Sequence, residues 1–271
     1  MSLASSRRES RGLRHVVLTL VLSLATGLMA LLPEAQAQTA RYESSAPQAI
    51  LMDSGSGKVL YEKNADELMH PASMSKIMTM IMVFERLESG RLSLDDEFTV
   101  SENAWRRGGA TSGGSTMYLD LNSRVRLEDL IKGVIVQSGN DACIVIAEGI
   151  AGSEDAFADM MTERARELGL EQSTFQNATG LTDPEHKMTP RELALLARYL
   201  IEVYPEYYEI YSIPEFTWND ITQKNRNPLL NSYPGADGIK TGYVSAAGYG
   251  LTGSAKRDGR RLIMVINGLE S

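Results

Sequence analysis

The stretch "HPASMSKIMTM", residues 70–80, sets a serine and a lysine three positions apart, Ser73 and Lys76, where an apolar, methionine-rich segment begins. Pro71 stands where a helix accepts its first residue. Ile77, Met78, Met80, Ile81 and Phe84 follow at helical spacing, and Gly90 ends the segment. The pattern predicts a helix with Ser73 and Lys76 in its first turn and the methionine stripe turned to the core. Residues three apart share a helix face, so Lys76 can reach Ser73 and take its proton, provided that the amine is neutral. The same pair is also satisfied by a capping serine and a solvated lysine. About one S-x-x-K match is expected by chance in a chain of this length, so the pair alone decides nothing.

Outward from that helix the chain reads as two groups of strands around a helical middle. "AILMD" and "KVLYEK" flank the turn "SGSG" as a hairpin. "FTV" (98–100) reads as a strand leading into a loop with glycine at 108, 109, 113 and 114. That loop resembles no phosphate cradle, since no G-K-S/T follows it. "LEDLIKGVIVQ" reads as an amphipathic helix stopped at Ser138, Gly139 and Asn140, and "DACIVIAEGIA" as a resumed apolar one. Ser153 caps "EDAFADMMTERARELG", and Thr189, Pro190 and Glu192 form a capping box before "RELALLARYLIEVY". "EFTW", "GIKTG", "GYGLTGSAK" and "RRLIMVIN" then read as strands that must pair with the opening hairpin. The expected class is α+β: an antiparallel sheet built from both chain ends, flanked by helices, with a mostly helical insertion. One sheet face is left wanting a helix.

Composition narrows the function. Residues 1–37 run from Arg7, Arg8, Arg11 and Arg14 through "VVLTLVLSLATGLMALL" to "AQA", the pattern of a secretory signal peptide cleaved after Ala37. The expected destination is the periplasm or the outer face of the cytoplasmic membrane. Losing those four Arg with Glu9 and Glu34 takes the formal charge from −8 to −10, which argues against nucleic acid as a partner. Cys143 is the single cysteine, so no internal disulfide forms, and it reads as a buried, inert thiol. His70 and His186 are too far apart in sequence to suggest a zinc site, and no cofactor or metal is expected. They read as a helix-entry residue and a loop residue rather than as members of a Ser-His-Asp triad, because a lysine already stands beside the serine.

Two distant triplets give Ser73 and Lys76 their meaning. "SGN" (138–140) breaks a helical run at a turn, and "KTG" (240–242) lies on a predicted strand. S-x-x-K, S-x-N and K-T-G together mark penicillin-binding proteins and serine β-lactamases. The phrases "HPASMSKIMTM", "GGSTMYL", "IKGVIVQSGNDACIVIAEGIAGS", "FQNATGL" and "GIKTGYVSAAGY", in that order, resemble the low-molecular-mass D-alanyl-D-alanine carboxypeptidases over about residues 45–269. The resemblance implies the β-lactamase/DD-peptidase fold. It also implies an acyl-enzyme on Ser73, activated by Lys76, that removes the terminal D-alanine of peptidoglycan stem pentapeptides and is acylated by β-lactams.

It implies further that Ser138 relays a proton among Lys76, Lys240 and the leaving amine, and that Asn140 holds the substrate amide or the Lys76 amine. Lys240 and Thr241 would receive the substrate carboxylate; burial and a nearby cation, for which Lys240 is the candidate, would lower the Lys76 pKa. Gly242 and Tyr243 would complete the substrate edge, and the backbone N–H groups of Ser73 and Tyr243 the oxyanion hole. Two departures from the family stand out. Tyr243 and Val244 replace the histidine or phenylalanine and the threonine that many relatives carry. The chain also ends at "NGLES", where the family usually continues through a further helix, a β-rich domain and a membrane anchor. The expected organisation is therefore a catalytic domain over 38–271, of undetermined oligomeric state. A β-lactamase or a catalytically silent wall-binding relative are the competing readings. The E-x-x-x-N of Glu215 and Asn219 that a β-lactamase would invite reads as coincidence.

Overall fold

The computed structural model describes residues 43–270. The expected signal peptide lies outside them. In chain order the elements are β1 (Gln48–Asp53), β2 (Val59–Lys63), α1 (Lys76–Glu88), β3 (Glu97–Thr99), α2 (Glu102–Gly108), β4 (Arg124–Arg126) and α3 (Leu127–Ile135). There follow α4 (Asn140–Ala151), α5 (Glu154–Glu167), α6 (Pro190–Val203), β5 (Glu215–Trp218), β6 (Ile221–Lys224), β7 (Ala236–Val244), β8 (Gly248–Arg257) and β9 (Arg260–Leu269).

Strands from both ends of the chain form one five-stranded antiparallel sheet in the order β2-β1-β9-β8-β7. The junction between the ends is the β1–β9 pair, in which Ile50 faces Val265. The tight β8–β9 turn places Asp258 and Gly259 both at positive φ, as a two-residue hairpin requires. Helix α6 packs on β1 and β9. The opposite face carries the partly exposed Leu51, Leu262 and Met264, which with Leu229 and Tyr233 line an apolar groove of about 470 Å³.

Through the centre runs α1, in which nine consecutive residues from Lys76 to Phe84 are buried. Such a helix is wrapped on every side, so the methionine stripe is indeed core. Two expected caps are present: Ser153 Oγ accepts from Ala156 N at 3.1 Å, and Thr189 Oγ1 accepts from Glu192 N at 3.1 Å.

Three expectations need correction, and one expected strand finds a partner that its sequence did not indicate. The α-helix starts at Lys76, not at Pro71; a 3-10 turn over Ala72–Ser75 precedes it and carries Ser73. Glu192 does not complete a capping box, because its carboxylate instead accepts from Gln172 N (2.9 Å) and Ser173 Oγ (2.6 Å). The "EFTW" strand stays out of the main sheet and pairs with β6 as a separate hairpin. The strand at 97–99 pairs with β4, a three-residue partner too short to carry its own pattern.

One buried acid ties the helical half to the cleft. Asp141, in the first turn of α4, accepts from Thr116 Oγ1 (2.7 Å), Met117 N (2.8 Å), Leu119 N (3.1 Å) and Ala142 N (2.9 Å). Replacing it with Ala strands several buried donors. Asp141→Ala is expected to lower unfolding stability by about 3 kcal/mol or more in urea titration. A loss below about 1 kcal/mol would mean that this clamp does not hold the segment.

Candidate active site

Three segments converge on the start of α1. Ala72, immediately before Ser73, adopts φ 48°, a left-handed conformation uncommon for a residue with a Cβ. The 3-10 turn makes no side-chain cap, so Ser73 Oγ is not spent on the helix terminus. Lys76 Nζ stands 2.8 Å from Ser73 Oγ and donates to Asn140 Oδ1 at 2.8 Å and to the Thr179 carbonyl at 2.5 Å. Lys76 is 1% exposed, which rules out the solvated-lysine reading of the S-x-x-K pair.

The partners are fixed in turn. Asn140 N donates to Ser115 O at 2.8 Å, which sets the first residue of α4 against the end of the glycine-rich loop. Thr179 lies in "NATGL", where Asn177 Oδ1 accepts from Thr179 N (3.1 Å), Thr179 Oγ1 (2.9 Å) and Gly180 N (2.8 Å). This loop is pressed onto the turn that carries Ser73. A Cβ on Gly180, at φ 79°, would lie 2.0 Å from the Ala72 carbonyl oxygen.

An open cleft of about 720 Å³ runs over these groups, and Ser73, Ser138, Asn140, Thr241, Gly242 and Tyr243 line it. Ser138 is buried and at φ 61°, a second strained non-glycine position. Lys76 and Lys240 are buried beneath the lining residues, and Lys240 Nζ donates to Thr241 O at 3.2 Å. All eight residues singled out from the three motifs are thus gathered at one place. Gly242 has a steric reason to be glycine: β7 passes so near the turn that carries Ser73 that a Cβ there would sit 2.8 Å from Pro71 O. Tyr243 is exposed at the rim and packs on Tyr249 of the neighbouring strand, with ring centroids 4.5 Å apart.

Burial pushes the Lys76 amine down to about 8, with Arg226 acting in the same direction; Cys143, Asp141 and Glu154 oppose it. Lys240 is pushed well below its ordinary range, first by burial and then by Lys76 and Arg226. Desolvation is the main reason that Lys76 can be neutral, as expected, but the cation that assists it is Arg226 where Lys240 was expected. Arg226 carries no motif and was not foreseen; its guanidinium lines the cleft and donates to Ser115 Oγ at 2.6 Å.

The remaining candidates fall away from the chemistry. Cys143 is buried and its thiol is pushed up to about 12 by burial, as an inert cysteine should be. His186 is a loop residue, as expected, and is buried against Phe175, where its Nδ1 accepts from Gln176 N at 3.2 Å. His70 Nε2 pairs with Lys187 Nζ at 2.8 Å. Neither histidine lines the cleft. Glu215 and Asn219 belong to the β5–β6 hairpin, outside the lining, and Asn219 donates to Tyr118 O and Asp120 Oδ2. Among the described residues none of those lining the cleft is a carboxylate, and no three His, Cys, Asp or Glu side chains converge as a metal site would need.

The sequence profile of the D-alanyl-D-alanine carboxypeptidases, peptidase family S11, matches residues 34–270. The chain belongs to that family. It is 47% identical over 224 residues to the D-alanyl-D-alanine carboxypeptidase DacC of Escherichia coli (strain K12), covering 82% of this chain and 56% of that relative. A solved structure of penicillin-binding protein 5 from Haemophilus influenzae is similar at TM-score 0.82 and 39% identity, over 85% of this chain and 67% of that one. Penicillin-binding protein D2 from Listeria monocytogenes, solved in an ampicillin-bound form, is similar at TM-score 0.72 and 30% identity, over 85% and 92%. The chain spans just over half the length of the DacC relative. The DD-peptidase fold expected from the sequence is the fold found.

The approach of β7 to the turn that carries Ser73 gives the site a direct steric test. Gly242→Ala is expected to cut the rate constant of β-lactam labelling by about tenfold or more, because β7 must retreat from Ser73. Unchanged labelling kinetics would show that the spacing between strand and turn does not matter.

Proposed function

We propose that the protein is a serine-type D-alanyl-D-alanine carboxypeptidase that removes the terminal D-alanine from peptidoglycan stem pentapeptides during cell-wall remodelling. The observation that carries this reading is the buried Lys76 amine between Ser73 Oγ, Asn140 Oδ1 and the Thr179 carbonyl. A neutral amine has two N–H groups and one lone pair. Asn140 Oδ1 and Thr179 O can only accept, so together they occupy both N–H groups and leave the lone pair for the Ser73 hydroxyl. That is the arrangement a general base requires.

In the proposed reaction Ser73 Oγ attacks the carbonyl of the penultimate D-alanine while its proton passes to Lys76 Nζ. The new C–O bond forms, the C–N bond to the terminal residue breaks, and the proton reaches the leaving amine through Ser138. Water then attacks the ester carbonyl and gives one proton to Lys76 Nζ; the bond from the acyl carbon to Ser73 Oγ breaks, Ser73 Oγ takes that proton, and the shortened peptide leaves as the acid. The backbone N–H groups of Ser73 and of Tyr243, on the edge strand of the sheet, would bind the oxyanion. The Thr241 hydroxyl, with Lys240 and Arg226 close by, suits the substrate carboxylate. A β-lactam would acylate Ser73 in the same way, but its amine stays tethered and blocks the water. With no carboxylate lining the cleft to activate water, the adduct is expected to be long-lived.

We infer that the protein is exported and acts at the outer side of the cytoplasmic membrane, on the strength of the basic, apolar and small-residue pattern in residues 1–37. No helix among the described residues is long and apolar enough to cross a membrane.

Two outcomes test this reading. Ser73→Ala is expected to eliminate both fluorescent-penicillin labelling and D-alanine release from a pentapeptide ending in D-alanyl-D-alanine; retention of either activity contradicts the assignment, and rapid turnover of the penicillin adduct would point to a β-lactamase. The acylation rate constant should also rise with pH and level off above about 8, because only the neutral form of Lys76 accepts the serine proton. A profile flat from about pH 6 to pH 9 would remove Lys76 as the base.

A further inference from the structure

A buried carboxylate outside the cleft has no part in the steps above. Glu154, the first residue of α5, is 4% exposed and does not line the cleft. Its Oε2 accepts from Arg107 Nη1 at 2.8 Å and its Oε1 accepts from Ala178 N at 3.2 Å. On the other side of the same residue, the Ala178 carbonyl accepts from Thr79 Oγ1 at 2.7 Å, and Thr79 lies three positions after Lys76 on α1. Ala178 is therefore pinned from both sides. The next carbonyl along the chain, that of Thr179, is one of the two acceptors of Lys76 Nζ.

An ion pair with one buried partner is costly to desolvate and is weak evidence for added stability. Here the carboxylate also meets the N-terminus of α5, where Ser153 caps the helix and the backbone favours negative charge. Burial still pushes its carboxyl above the ordinary range, with Arg107 and the Ala178 N–H opposing that shift and Asp155 and Glu148 adding to it. The site holds an awkward group whose visible effect is to fix one peptide.

We propose that Glu154, held by Arg107, is a positioning residue for the acylation step: it fixes the Ala178 amide so that the Thr179 carbonyl keeps the Lys76 lone pair directed at Ser73 Oγ. The proposal rests on the reading of Ser73 as nucleophile and Lys76 as its base. It does not require Glu154 to touch the substrate. Displacing the Thr179 carbonyl frees one N–H of the amine, lets the amine rotate, and lowers the fraction of encounters in which its lone pair meets the serine proton.

Glu154→Gln and Glu154→Met test this as a pair. Both are uncharged and close to Glu in size, but only Gln keeps an oxygen to accept from Ala178 N. The readout is the pH profile of the rate constant for labelling Ser73 with a fluorescent penicillin, with the labelled peptide mapped by mass spectrometry. Lys76 is faced by Arg226, Lys240, Asp141, Glu154 and Cys143, so loss of the Glu154 charge should move the profile midpoint to lower pH in both variants. The high-pH plateau should fall about tenfold or more in Glu154→Met and recover most of that loss in Glu154→Gln. A residue needed only for stability would change the fraction of protein that labels and leave the plateau rate constant of that fraction unaltered.

If Glu154→Met does not fold, Thr79→Val, which releases the other side of Ala178, should lower the plateau in the same way. Parent-like plateaus in Glu154→Met or, failing that, in Thr79→Val overturn the proposal, as do equally slow Gln and Met variants. Absence of labelling at Ser73 in the parent protein would instead refute the underlying assignment of the nucleophile.

Discussion

One amine nitrogen, Lys76 Nζ, joins three separate stretches of chain: the turn before α1 through Ser73, the start of α4 through Asn140, and the "NATGL" loop through the Thr179 carbonyl. Burying an ammonium in this way costs several kcal/mol. Burial of a large apolar side chain contributes about 1.5–3 kcal/mol, so a few of the seven on Ile77 to Phe84 of the same helix offset that cost. The fold can therefore hold a lysine whose neutral form is accessible near neutral pH. The acceptors on either side then decide where its lone pair points.

The backbone is bent to fit around that nitrogen. Ala72 and Ser138 both occupy the left-handed region despite carrying a Cβ, each at a cost on the order of 1 kcal/mol. Gly180 and Gly242 occur where β7 and the "NATGL" loop press on the nucleophile turn and leave no room for a side chain. Strained residues and missing side chains thus serve one purpose, which is to bring a serine hydroxyl, a strand edge and a carbonyl within reach of one another. The sheet built from the two chain ends gives β7 its position, and α1 gives Ser73 and Lys76 theirs.

The parts legible in the sequence are those with a local pattern. The opening hairpin, the caps at Ser153 and Thr189, the break at Ser138–Asn140 and the last three strands all follow from spacing and turn residues. The start of α1 lies later than the sequence pattern suggests, because a 3-10 turn satisfies the same proline and serine signals as a first α-helical turn. The β3–β4 and β5–β6 pairings were missed because three- and four-residue strands do not announce their partners. At the site, side chains belonging to motifs could be named in advance. The Thr179 carbonyl could not, since a backbone oxygen has no residue type to betray it. Nor could Arg226, a lone arginine in a loop, or Glu154, which reads as one more acid at a helix start. The Asn177 side chain that shapes "NATGL" was the available clue, because asparagine two residues before the turn accepts from the following N–H groups.

The proposed chemistry depends on Lys76 losing its proton near neutral pH because it is buried. The direct measurement is an NMR titration of the Lys76 side chain in the intact protein, assigned by comparison with Lys76→Arg. A midpoint near 8 is expected. A midpoint close to 10.5, the ordinary value for lysine, would contradict it and leave Ser73 without its base.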